Sequence, residues 1–178
     1  ADQSKPNDRI RWVQNDPRPK FSVLGHEVGL VIGGARKTEA PDLYWRIAQF
    51  LMPNHAFTPT AFPGEVYYGQ SWMPVDDVNC WIYTYSWHPD RPFTNAERAR
   101  FDGGFNIHAE ADDQYVPLRN LKNDYLIDRE AQKTETFTGI DGINIQDRAI
   151  QEGMGPIVDR SQEHLGPADR AIIQARRL

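Results

Sequence analysis

The feature that most constrains this chain is a change in the spacing of its apolar residues toward the C-terminal end. Several segments before residue 88 carry apolar side chains at every second position, which is typical of strands that bury one face. From Gly142 onward the apolar residues recur at helical spacing. Strands followed by closing helices predict an α+β domain in which C-terminal helices pack on an antiparallel sheet.

Three segments carry the strand pattern. Residues 21–35 alternate as one half-buried strand, and residues 44–52 are apolar on both faces, which predicts a central strand covered on both sides. Residues 67–87 predict a hairpin that turns at Asp76 and Asp77. In the first segment, the shared apolar face is predicted to consist of Leu24, Val28, Leu30 and Ile32.

The second arm of the hairpin places four aromatic residues on one face. These are Trp81, Tyr83, Tyr85 and Trp87. A face of this kind either packs under a helix or serves as a platform on which bases stack. The net charge of -5 and the pI near 5.5 favour the packed face, because they give no field that would gather phosphates. We therefore expect no nucleic-acid partner.

The remaining segments predict connections and short helices. The first twenty residues are interpreted as a polar connector, and residues 88–125 as a long functional loop with short helical turns or as a lid over a pocket. After Gly142, Pro156 and Gly166 divide the pattern into about three short helices. Because the chain opens on Ala1 and ends within a helical pattern, we expect it to be a segment of a longer protein.

Cysteine content and hydropathy indicate a soluble protein in a reducing compartment. Cys80 is the only cysteine, so the 178 residues hold neither an intrachain disulfide nor a cysteine-ligated metal site. The longest uncharged run, residues 47–64, is interrupted by prolines and cannot span a membrane. We expect a cytoplasmic protein without a membrane partner.

One charged residue interrupts the apolar stripe of the helix that follows Gly142. Asp147 falls on the stripe formed by Ile143, Ile150 and Met154. A carboxylate that faces a core needs a partner, a hydrogen bond or a metal. Alternatively, the helix is rotated slightly and Asp147 is solvated, or its side chain bonds a nearby backbone amide. Asn144 and Gln151 lie one turn to either side of Asp147 and could orient its carboxylate.

The five histidines form no pair at the spacing that places two imidazoles on one face of a helix. His26 continues the apolar strand face of Leu24, so it could point into a pocket and contact a substrate. A hydrogen-bonded core or surface histidine is the alternative at this position.

The C-terminal run GINIQDRAIQEGMGPIVDRSQEHLGPADRAIIQARRL resembles the end of the phthalate dioxygenase-like group of Rieske oxygenase α-subunits. Upstream, YWRIAQFLMPNHAFTP, WMPVDDVNCWIYTY and NDYLIDREAQKTETFTGI are similar to the same group, so the resemblance covers nearly the whole chain. It implies a helix-grip fold that is incomplete at the N-terminus. Residues 1–178 would form the C-terminal part of the catalytic domain.

In that family, two histidines and one aspartate hold a mononuclear Fe(II). The resemblance implies that Asp147 is this aspartate. It places the paired histidines and the Rieske [2Fe–2S] domain outside these residues. We therefore expect the chain alone to be inactive.

The resemblance further implies the chemistry of a parent enzyme. That enzyme would use O2 and electrons from NAD(P)H, passed through a flavin/iron–sulfur reductase, to hydroxylate or demethylate an aromatic substrate as a homotrimer. A non-enzymatic helix-grip module that binds an apolar small molecule is the alternative.

Overall fold

The computed structural model describes residues 8–39, 41–60 and 65–178. The chain divides into two compact units, of which one comprises Ala1–Ser71 with Glu163–Leu178 and the other Trp72–Gln162. Within the described ranges, six strands form an antiparallel sheet in which each strand neighbours the next along the chain, and the predicted α+β class is confirmed. The strands are β1 (Lys20–His26), β2 (Gly29–Lys37), β3 (Leu43–Leu51), β4 (His55–Thr58), β5 (Tyr67–Pro74) and β6 (Cys80–Trp87).

Five α-helices accompany the sheet within the described residues: α1 (Asp8–Asn15), α2 (Asn95–Asp102), α3 (Arg129–Thr134), α4 (Ile143–Gly153) and α5 (Arg170–Ala175). Three short 3-10 segments are also present in the described residues, at Leu121–Leu126, Arg160–Gln162 and Pro167–Asp169. The short turns predicted in the loop after residue 88 and the three short helical segments after Gly142 are thereby confirmed. None of the helices in the described ranges is both long and apolar enough to cross a membrane.

Helix α1 corrects the prediction that the first twenty residues form a polar connector. The rings of Trp12 and Tyr44 lie 4.9 Å apart, so one aromatic residue anchors an otherwise polar segment on β3. The carboxylate of Asp16 accepts a hydrogen bond of 2.9 Å from the backbone N–H of Lys37. Residues 1–7 of the predicted connector lie outside the described residues.

The single strand predicted over residues 21–35 is a hairpin of β1 and β2 instead. His26 pairs with Gly29, which leaves Glu27 and Val28 as the turn. The turn shifts the alternation, so the predicted face of Leu24, Val28, Leu30 and Ile32 is wrong: Leu24 pairs with Val31, while Leu30 is buried. Gly29 fits because a Cβ there would lie 2.0 Å from the carbonyl oxygen of Phe50.

Strand β3 lies between β2 and β4, which confirms its predicted central position. The predicted cover on both faces is wrong within the described residues. Tyr44 is buried on one face, but Trp45 and Ile47 on the other are 45% and 44% exposed. Both side chains lie over Gly33, whose missing Cβ leaves room for the indole ring.

The C-terminal helix packs as predicted on the sheet within its own unit. Helix α5 contacts β1 and β2. It is tied to the preceding loop by Arg176, whose two terminal guanidinium nitrogens bind the two carboxylate oxygens of Glu163. A bidentate pair of this kind fixes orientation as well as distance.

The predicted hairpin is confirmed: its arms are β5 and β6, and its turn lies in the second unit. The carboxylate of Asp76 closes this turn by accepting hydrogen bonds from the backbone N–H groups of Val78 and Asn79 and from the Asn79 amide. The small core of this unit consists of Tyr125, Ile140 and Ile145. Since Ile145 lies on α4, this core fixes one face of that helix.

Candidate functional site

Helix α4 is positioned by its buried face and by the loop at residues 106–108. Ile145 is 4% exposed and packs in the core of the unit. Asn144 is 7% exposed; its backbone N–H donates to the carbonyl oxygen of Asn106 at 3.1 Å, and its Nδ2 donates to that of Ile107 at 2.8 Å. These bonds replace a side-chain N-cap, which Gly142 cannot provide.

The stripe that carries Asp147 faces away from this core. Ile143, Ile150 and Met154 are 53%, 69% and 54% exposed, and Asp147 is exposed among them. The prediction that this stripe packs into the core of the chain is therefore wrong. The helix has two apolar faces, and it uses the face of Ile145 for its own packing.

The carboxylate of Asp147 has neither an ion-pair partner nor a hydrogen bond to its side chain within the part of the chain that the structure describes. Partial desolvation raises the pKa of Asp147 above its ordinary value. An acidic side chain among apolar residues, without a counter-charge, is suited to accept a cation.

The two residues predicted to orient Asp147 occupy different environments. The Nδ2 of Asn144 is bound to Ile107, and its buried Oδ1 has no hydrogen-bond partner within the described residues. Gln151 is exposed on the surface of α4. Asn144 thus holds the helix in place through the loop, a role that the sequence pattern did not indicate.

The histidines are distributed over both units. His26 is exposed at the end of β1, where its Nδ1 accepts a hydrogen bond of 3.4 Å from the backbone N–H of Val28. His55 bonds Ser71 at 2.6 Å. Within the described residues, no cluster of three or more His, Cys, Asp or Glu side chains could hold a metal ion.

His108 links the loop at residues 106–108 to β6. Its Nδ1 lies 2.9 Å from Thr84 Oγ1, and its Nε2 lies 2.6 Å from Ser86 Oγ. Burial lowers the pKa of His108, while the nearby carboxylate of Asp102 acts in the opposite direction. The neutral ring donates to one hydroxyl and accepts from the other, so it satisfies both.

A cavity of about 1010 Å³ lies in the second unit, between β6, α4 and the loop at residues 109–117. It is open to solvent, and its wall is mainly aromatic and apolar. The side chains that define it are Trp81, Tyr83, Tyr115, Val116, Asn144 and Arg148.

Two residues of the aromatic face of β6, Trp81 and Tyr83, border this cavity, so the prediction that the face packs under a helix is wrong for them. Trp81 and Tyr83 are exposed. Trp81 instead contacts the ring of Tyr115 edge to face, at 6.2 Å between centroids. The loop at residues 109–117 thus contacts Trp81, where the sequence pattern predicted a helix.

Arg148 and its neighbours form the charged part of this region. Nη1 of Arg148 lies 3.7 Å from Glu152 Oε1, and the buried Nε of Arg148 has no hydrogen-bond partner in the described ranges. The other Glu152 oxygen accepts a hydrogen bond of 2.5 Å from the Tyr125 hydroxyl. Burial, and then this bond, raise the pKa of Tyr125 to about 12. Sequence reasoning missed Arg148, although it follows Asp147 directly in the QDRAI run.

Comparison with known proteins gives a consistent assignment. A family model described as "LigXa C-terminal domain like" matches residues 12–178. The chain is 36% identical, over 94% of its length, to the phthalate 4,5-dioxygenase oxygenase subunit of Pseudomonas putida. It is 30% identical, over 97% of its length, to the 3-chlorobenzoate-3,4-dioxygenase oxygenase subunit of Comamonas testosteroni. The matches cover 39% and 43% of the lengths of these two relatives.

Proposed function

We propose that this chain, which belongs to the LigXa C-terminal domain-like family, contributes part of the catalytic domain of a ring-hydroxylating oxygenase. The family membership confirms the predicted likeness to the C-terminal part of Rieske oxygenase α-subunits. One observation supports the proposal most strongly. Asp147, the aspartate of the family motif, is a carboxylate on an exposed apolar face of α4 that has no ion-pair partner among the described residues.

Asp147 is proposed as one ligand of a mononuclear Fe(II). The iron, when bound, supplies the open coordination positions at which O2 is activated next to the substrate. Asp147 fits this role because its carboxylate lacks a counter-charge in the described residues and is already partly desolvated. The two histidine ligands and a [2Fe–2S] cluster are proposed to come from parts of the oxygenase outside the described residues.

Residues around Asp147 are proposed to support its role without binding the iron themselves. Asn144 holds the angle of α4 through two backbone carbonyls of the loop at residues 106–108. The apolar side chains beside Asp147, Ile143 and Ile150, keep water away from its carboxylate once they are covered. For Gln151 and His26, the roles of orienting Asp147 and contacting substrate stay predictions.

The parent is proposed to be a cytoplasmic homotrimer that receives electrons from NAD(P)H through a reductase and acts with O2 on an aromatic substrate. Support for the use of O2 and an aromatic substrate comes from the two relatives, each of which is a dioxygenase oxygenase subunit named for an aromatic acid. The non-enzymatic ligand carrier is not favoured, because both relatives are oxygenase subunits.

Iron content and turnover of the intact oxygenase test the role of Asp147. We expect Asp147→Asn to lower bound mononuclear iron and to abolish hydroxylation, because an amide is a weaker ligand than a carboxylate for a divalent metal. Asp147→Glu should retain part of the iron. Asp113→Asn, at another exposed carboxylate, should leave both quantities unchanged. The assignment is wrong if Asp147→Asn binds iron and turns over normally.

A further inference from the structure

The segment Leu121–Leu126 has a backbone conformation that is costly without a compensating contact. Asp124, Tyr125 and Leu126 follow one another with φ of 49°, 55° and 50°, in the left-handed region that residues other than glycine rarely adopt. Such a conformation persists only where the surrounding structure holds it in place. Asp124 and Leu126 are exposed, whereas Tyr125 is 5% exposed. The turn therefore serves to place Tyr125 in the interior.

Two asparagines hold this turn. The side-chain oxygen of Asn123 accepts a hydrogen bond of 2.9 Å from the backbone N–H of Asn120, and its Nδ2 donates to the carbonyl oxygen of Leu118 at 2.7 Å. The backbone N–H of Tyr125 donates to the carbonyl oxygen of Asn120 at 3.0 Å. These bonds fix the position of Tyr125 although the backbone at that residue is strained.

The hydroxyl of Tyr125 connects this turn to helix α4. It donates a hydrogen bond of 2.5 Å to Glu152 Oε2, while the ring packs in the same core as Ile145. Because burial, and then the bond to Glu152, raise the pKa of Tyr125 to about 12, the hydroxyl keeps its proton at neutral pH and remains the donor. A hydrogen bond to a charged acceptor is stronger than one between neutral groups. The last turn of α4 is thereby tied to the strained segment.

Both contacts lie on the side of α4 opposite Asp147. An α-helix turns by about 100° per residue, so Ile145 and Glu152 come within about 20° of each other on one face. Asp147 lies about 160° from Ile145 and about 140° from Glu152 around the helix axis. Asp147 also lies between the two in sequence, so these contacts set the direction in which its carboxylate points.

We propose that Tyr125 is a positioning residue for Asp147, which acts through Glu152 by fixing the rotation of α4 about its own axis. The inference rests on the proposed role of Asp147 as an iron ligand. A rotation of about 10° moves a side chain at the surface of a helix by about 1 Å. That displacement is several times the tolerance of about 0.2 Å for the distance between a metal and its ligand.

Retention of mononuclear Fe(II) by the intact oxygenase, against a competing chelator, tests the inference. Tyr125→Phe keeps the ring in the core and removes only the hydroxyl. We expect it to weaken iron retention about threefold to tenfold. Side chains that orient a metal ligand directly contribute about 10–100-fold, and Tyr125 acts one contact further away. The EPR spectrum of the iron site, with nitric oxide as the probe, should change because it reports the geometry of the ligands.

Ile140→Val is the matched control for a loss of packing. Ile140 belongs to the same core as Tyr125, and its shortened side chain should lower stability without touching the bond to Glu152. Iron retention and the EPR spectrum should therefore stay those of the wild type.

Two substitutions of Glu152 keep the inference testable if Tyr125→Phe fails to fold. Glu152→Gln preserves an acceptor for the Tyr125 hydroxyl and should retain most of the iron, whereas Glu152→Ala should weaken retention as much as Tyr125→Phe. The double variant with Tyr125→Phe and Glu152→Ala should be no weaker than either single variant, because both remove the same bond.

Iron content of the wild type separates this inference from the proposed function. Normal mononuclear iron and turnover in the wild type, with unchanged iron retention in Tyr125→Phe, would overturn the positioning role and leave the oxygenase function intact. Equal losses in Tyr125→Phe and Ile140→Val would also overturn it, because Tyr125 would then contribute only packing. A wild type without mononuclear iron would refute the oxygenase function, and the positioning role with it.

Discussion

Replacing His108 by Phe should destabilise the protein by about 1–2 kcal/mol. The substitution keeps a ring against Phe101, whose centroid lies 5.3 Å away, and removes the bonds to Thr84 and Ser86. Each bond contributes about 0.5–1.5 kcal/mol net, so the two together contribute about 1–3 kcal/mol. Water can reach the half-buried hydroxyls, which places the sum in the lower half of the range for two bonds.

Urea unfolding of the wild type, His108→Phe, Ser86→Ala and the double variant measures this contribution. Because Ser86 Oγ bonds the imidazole, its removal should cost less in the His108→Phe background than in the wild type. Equal stability of His108→Phe and the wild type, or strict additivity of the two substitutions, would refute the clamp between the loop and β6.

The same clamp predicts how stability depends on pH. Burial lowers the folded-state pKa of His108 below its ordinary value of 6.5. Below pH 6.5 the unfolded chain therefore binds more protons than the folded one, so stability falls as the pH drops through the folded-state pKa. Stability in His108→Phe should lack this component. An identical pH profile for the variant and the wild type would show that His108 does not carry it.

Two further substitutions test the packing around α4. Ile145→Ala should cost about 2–5 kcal/mol, because this side chain packs in the core with Tyr125; an unchanged urea midpoint would mean that α4 does not carry this core. Gly139→Ala should destabilise by about 1 kcal/mol or more, because φ is +66° and a Cβ would lie 2.3 Å from the carbonyl oxygen of Asp128. Gly153→Ala, where no atom lies within 4 Å of the added Cβ, is the control and should be neutral or stabilising in thermal unfolding.

The class of the fold could be predicted from the sequence because alternation and helical spacing each persist over several residues. Strand β3 and the β5–β6 hairpin are examples, and both are confirmed. The β1–β2 hairpin was missed because its turn, Glu27 and Val28, lacks the residues that usually mark one, and a single missed turn reverses the faces that follow.

The sequence identified Asp147 as a candidate site residue but did not show which face of α4 meets the core. Asp147 stood out as a charge on an apolar stripe, but α4 has a second apolar face around Ile145. Periodicity alone cannot tell which of two such faces meets the core of the chain. The cavity was not predictable, because Trp81 and Arg148 are far apart in sequence and line one cavity only in the folded chain.

The two faces of α4 also explain how one helix can serve both folding and chemistry. The face of Asn144 and Ile145 is fixed to the loop at residues 106–108 and to the core, so the opposite stripe with Asp147 has a set direction without contributing to that core. His108 fixes the same loop to β6, which forms the far wall of the cavity. A substitution that loosens His108 should therefore disturb the cavity and the direction of Asp147 together, because both depend on one short loop.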